Sequence, residues 1–89
     1  MNVAHAGRIG PNAIIQTTAA LRERVGDPRA LALVHGATGR SLSEMPTEMV
    51  DEDEVNRLVR SMRADLDPAL FEAVLHDAGC RTADYLIAN

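Results

Sequence analysis

His76 and Cys80 stand four residues apart, the spacing that puts two side chains on one face of an α-helix. An imidazole beside a thiolate is a soft pair of metal ligands, but two ligands leave a zinc site half built. Gly79, read as the end of its helix, would also break the geometry before Cys80. On this reading His76 sits near a helix C-terminus, where partial positive charge is welcome, and Cys80 is a small buried hydrophobe. His35 falls at another predicted helix end, and His5 lies in the first residues of the chain. Met45 and Met49 flank Pro46 in a loop, where two flexible thioethers could contact a flat macrocycle or a partner. Met62 has an ordinary place in a helical core. The ligand-contact candidates are therefore His76, Met45 and Met49, with no catalytic residue and no complete metal site.

Other chemistry is poorly represented. Gly36, Ala37, Thr38 and Gly39 superficially resemble a phosphate loop, but they follow a helix and lack its lysine, so they read as a flexible connection. No Gly-x-Gly-x-x-Gly follows a strand, and one cysteine cannot hold an iron–sulfur cluster or form an internal disulfide. Reductive catalysis by this chain alone is not expected. Glu44, Glu48, Asp51, Glu52, Asp53 and Glu54 form an acidic stretch that could dock a basic partner, although a solvated loop and helix N-terminus, which the dipole already favours, explains it better.

The elements that must position these residues are helical. Among 89 residues there are one Phe, one Tyr and no Trp, so Ala, Leu, Val, Ile and Met must build a thin core suited to helix packing. Gly10-Pro11 opens a helix with Ile14, Thr18, Leu21 and Val25 inward, closed by Gly26 in the left-handed region. Asp27-Pro28 opens a short second helix through Leu31 and Val34 to Gly36. Asp51, with Glu54 in a capping box, starts a third whose apolar face is Val55, Leu58, Val59, Met62 and Leu66. Asp53 and Arg57 can pair along it. Asp67-Pro68 starts a fourth with Leu70, Phe71, Val74, Leu75 and Ala78 inward, ending at Gly79. Thr82 then caps a fifth, whose stripe of Tyr85, Leu86 and Ile87 is cut short by the end of the sequence. No run alternates long enough for a strand.

The expectation is an all-α domain: a bundle of four helices plus a truncated fifth over residues 9–89, behind a flexible tail at 1–8. The cut helix predicts the front part of a longer protein, with Tyr85, Leu86 and Ile87 covered by self-association into a homo-oligomer. A net charge of −4 and a pI near 5.2 argue against nucleic acid as a partner. No segment has the roughly 20 apolar residues of a membrane span, and the lone cysteine suits a cytoplasmic setting. All nine basic residues are arginines, which reads as a matter of composition.

Three phrases carry a resemblance. They are Gly7 to Ile14 (GRIGPNAI), Pro46 to Glu52 (PTEMVDE) and Asp77 to Asn89 (DAGCRTADYLIAN). In this order and spacing they resemble the N-terminal region of the bacteriochlorophyll 4-vinyl reductase family of phototrophic bacteria. The resemblance covers essentially the whole chain and only the front of a family protein, whose body would continue as mixed α/β. It implies bacteriochlorophyll biosynthesis: a helical region supporting the binding or presentation of a chlorophyll precursor for reduction of its 4-vinyl (8-vinyl) group. The implied partners are a tetrapyrrole pigment or a pathway enzyme, with no cofactor held by this chain itself. None of the three phrases is a catalytic motif. A non-enzymatic interaction or oligomerisation module is the alternative.

Overall fold

The computed structural model describes the backbone of residues 7–88 and the side chains of residues 7–82. It is an all-α architecture of four helices: α1 (Asn12–Val25), α2 (Asp27–Thr38), α3 (Glu52–Asp65) and α4 (Pro68–Ala88). A two-stranded antiparallel ribbon joins β1 (Arg8–Ile9) to β2 (Val50–Asp51), in register Arg8 to Asp51 and Ile9 to Val50. The Glu52 N–H also donates to the Gly7 carbonyl at 2.9 Å. The ribbon thus draws Gly7 and Arg8, the last residues of the expected tail, into the fold. Two-residue strands are too short to show alternation in sequence, which is why the ribbon was invisible there.

Packing runs α4–α1–α2–α3 rather than in chain order: α1 lies along both α4 and α2, and α3 packs mainly on α2. The core is the aliphatic seam this creates, built from Ile14, Ala20, Leu21, Ala30, Leu33, Val34, Leu58, Met62 and Val74. Two inward assignments fail, because Leu31 and Leu75 are exposed; Ala30 and Leu33 face inward on α2, and on α4 the expected Val74 and Ala78 are buried. The helices lean on their neighbours at angles that periodicity within one helix cannot supply. Thr18 is buried, and its hydroxyl has no hydrogen-bond partner among the described residues.

The punctuation of the helices is partly as read. Gly26 joins α1 to α2 within one residue: its N–H donates to the Arg22 carbonyl and its own carbonyl accepts from Ala30, both at 3.0 Å. Its φ of 84° and ψ of 161° lie outside the left-handed helical region, in a conformation essentially reserved for glycine. Gly39, at φ 78° and ψ 1°, is the residue that ends its helix in the left-handed form, so α2 extends past Gly36. Asp67 caps α4 through a 3.0 Å bond from the Leu70 N–H. Asp27 and Asp51 do not cap: Asp27 is held by Arg22, and no side chain caps α2 or α3. The capping box at Asp51 and Glu54 therefore does not form.

The fourth and fifth helices are one. Gly79 keeps helical φ, and α4 runs unbroken through it. Thr82 does not cap; its hydroxyl donates back to the Ala78 carbonyl at 2.9 Å. Two ion pairs on α4, Asp77 to Arg24 and Arg81 to Glu23 (each 2.8 Å), clasp it to α1 on either side of Gly79. With buried Ala78 between them, they hold α4 along α1 across a glycine whose helix penalty is only roughly 1 kcal/mol. Tyr85, Leu86 and Ile87 belong to the last turns of α4, and their side chains lie outside the described residues.

A Cβ at Gly79 would meet nothing within 4 Å. Gly79→Ala should therefore stabilise the protein by roughly 0.5–1 kcal/mol in thermal or denaturant melts. A left-handed break at Gly79 would give the opposite sign.

Candidate functional site

The loop from Arg40 to Val50 is fixed at both ends before it does anything else. At its start Thr38 Oγ1 donates to the Val34 carbonyl at 2.7 Å and accepts from the Arg40 N–H at 3.2 Å. The Arg40 guanidinium then grips Glu54 in the first turn of α3, with N–O distances of 2.5 and 3.2 Å. This fork is largely shielded from water, with 30% of the arginine and 12% of the glutamate side chain accessible. At the other end β2 is paired with β1, and Arg8 donates to the Met49 carbonyl at 3.2 Å. Between them Ser41 binds Glu44 at 2.9 Å.

This anchored loop encloses an open cleft of about 300 Å³, lined by Arg40, Met45, Pro46, Thr47, Glu48, Met49 and Val50. Pro46 and Val50 are buried, and Met45 is half-buried against the core. Met49 is 53% exposed. The cleft joins thioether and aliphatic surface to a polar rim of Thr47 and Glu48, while Arg40 is already committed to Glu54. It holds no paired acid and base; its exposed surface is mostly polar, with the two thioethers as its apolar part. Its volume lies at the low end of ligand pockets, so it would seat part of a large ligand.

The structure brings Met45 and Met49 together and leaves His76 on another element. His76 lies in the middle of α4, exposed, with Cys80 one turn on and equally exposed. The expected burial of Cys80 and the helix end at His76 both fail because α4 continues through Gly79. His35 is exposed in the last turn of α2, where its carbonyl accepts the Gly39 N–H at 2.9 Å. His5 lies outside the described residues. Gly36 to Thr38 are helical, so no phosphate loop or flexible connection exists there. The acidic stretch is divided among separate tasks: Glu44 braces the loop, Glu54 holds Arg40, and Asp51 faces Arg8 at 3.8 Å. Arg57 donates to the Ala37 carbonyl at 3.1 Å rather than pairing with Asp53. Among the described residues no three potential metal ligands cluster.

The chain matches no family model, no curated protein and no solved structure. Among the described residues no helix is long and apolar enough to cross a membrane.

Two consequences are measurable. Arg40→Ala leaves the Glu54 carboxylate shielded and without its cation, and should cost about 1–3 kcal/mol in denaturant unfolding. Glu54→Gln, which keeps an acceptor for Arg40, should cost less. The second consequence concerns pH. A hydrogen bond from Arg24 holds the Asp77 carboxyl below its ordinary 3.8 against the opposing effect of burial, with the arginine's charge adding to the lowering; Arg22 does the same to Asp27. A lowered folded-state pKa gives stability that is complete above the unfolded value and is lost as pH falls through the folded one. Asp77→Asn should therefore lower the melting temperature at pH 7 and at pH 5 alike. The gap from the parent protein should close only below about pH 4.

Proposed function

We propose that this chain is a helical binding region of bacteriochlorophyll biosynthesis, which contacts a chlorophyll precursor through the methionine cleft and presents it for vinyl reduction completed elsewhere. The observation that carries this reading is the cleft itself, which brings the thioethers of Met45 and Met49 together beside buried Pro46 and Val50 within an otherwise polar surface. A macrocycle edge needs polarizable, adaptable contact of this kind. The pigment as the ligand, and the pathway, rest on the three phrases of sequence. Two of them, Gly7 to Ile14 and Pro46 to Glu52, meet in the β1–β2 ribbon beside the cleft, and the third contributes the Asp77 that clasps α4 to α1. The phrases thus have structural work in this fold, in keeping with a region that supports a ligand rather than reacts with it.

A second reading, a protein-interaction module, draws on the exposed Leu31, Leu75 and Met49. Exposed apolar side chains mark an interface where they form a contiguous patch.

Titration with a magnesium porphyrin and with protochlorophyllide, followed by absorbance and fluorescence, separates the two. Saturable binding that weakens at least tenfold in Met49→Glu supports the cleft as a pigment contact. Binding unchanged in that variant moves the pigment off the cleft. No binding, with stable oligomers in sedimentation, leaves the interaction module.

A further inference from the structure

We propose that Arg40 is the carboxylate-binding residue of the methionine cleft, so that the cleft takes an apolar ligand by a carboxylate it carries. The macrocycle as that ligand rests on the function proposed above; the carboxylate fixes which end of it enters. Glu54 occupies one edge of the planar guanidinium only, through Nε and Nη2 at 2.5 and 3.2 Å. The end-on edge, formed by Nη1 and the second N–H of Nη2, has no acceptor among the described residues. The side chain lines the cleft together with Met45, Pro46 and Met49. A carboxylate is the group that a vacant guanidinium edge fits best, because two parallel N–H donors meet its two oxygens.

The donor is held in place before any ligand arrives. The Arg40 backbone N–H is bound to Thr38 Oγ1 at 3.2 Å and its side chain to Glu54, so little side-chain freedom is left to lose on binding. Only 30% of the arginine side chain is accessible, and a charge-assisted bond there counts for more than one at an exposed arginine. A second carboxylate leaves one negative charge unbalanced, and the open mouth of the cleft lets water and salt screen it from Glu54. Glu48 lines the same cleft and repels a carboxylate. The charged end of the ligand therefore lies toward Arg40, with the apolar body against Met45 and Met49. The free propionates of a tetrapyrrole are carboxylates of this kind, borne on a flat apolar ring.

The test is titration of the purified chain with magnesium mesoporphyrin, whose propionates are free, and with its dimethyl ester. Both are kept monomeric in the same non-ionic detergent and followed by absorbance. The free acid should bind about tenfold tighter or more, the size of one charge-assisted hydrogen bond. In Arg40→Gln/Glu54→Gln, where a pair of neutral amides replaces the ion pair, acid and ester should bind alike; circular dichroism and a denaturant melt check that this variant folds. Glu48→Gln should tighten binding of the acid and leave the ester unchanged. Equal binding of acid and ester by the parent chain, with both weakened in Met49→Glu, would overturn the carboxylate contact and leave the pigment reading standing. A preference for the acid that survives in the double variant would assign the carboxylate to another cation and overturn the role of Arg40. Binding of neither porphyrin would overturn the contact and the pigment reading together.

Discussion

Burial of α1 on two sides at once is the constraint that organises this protein. Few residues are available for a core, and aromatic side chains contribute almost nothing to it. The chain compensates by placing one helix between two others, so that Ile14, Ala20 and Leu21 are fully removed from water. Small residues at Ala20 and Ala30 let the helices approach closely, and Gly26 turns the chain between them within a single residue. Everything else is attached to this three-helix unit: α3 rides mainly on α2, and the ribbon ties the entry to α1 to the entry to α3.

Arginine supplies the register. Arg24 and Arg81 join α1 to α4, Arg29 joins α2 to Asp65 in α3, Arg57 reaches the last turn of α2, and Arg40 ties the loop to α3. Arg63 lies 5.4 Å over the Phe71 ring, the one cation–aromatic contact present among the described residues. Apart from the shielded Arg40–Glu54 fork, these exposed pairs each contribute little to stability. Their planar forks do impose geometry, because a guanidinium can meet both oxygens of a carboxylate, or a carboxylate and a carbonyl together, as Arg29 does with Asp65. An aliphatic core specifies burial but tolerates sliding of one helix past another, and these contacts oppose such sliding. The exclusive use of arginine, which looked like composition alone, has a structural consequence here.

Two surfaces are left with chemical character, and they have different physical origins. The methionine cleft exists because both ends of a loop are pinned, by Arg40 to Glu54 and by β2 to β1, so that Met45 and Val50 pack on the core while Met49 stays exposed. The His76–Cys80 face exists because α4 does not break. The cleft sets two thioethers among polar side chains, and the helix face sets an imidazole and a thiol one turn apart.

The sequence by itself determined what depends on neighbours in the chain. The all-α class, the inward positions Ile14, Leu21, Val34, Leu58, Met62 and Val74, and the Asp67 cap are legible because helical periodicity and capping act over a few residues. The loop that carries Met45 and Met49 was legible from Pro46 and the lack of periodicity. Tertiary structure alone decided the rest. Whether Gly79 ends a helix or lies inside one depends on Asp77 and Arg81 finding partners more than fifty residues away on α1. Asp27 and Glu54 had local capping roles available and were taken by Arg22 and Arg40, since a charged fork competes well with a single backbone bond. The same contacts decided that Cys80 faces water beside His76 and that Met45 and Met49 share a cleft, because side-chain company is set by packing between elements and not by spacing within one.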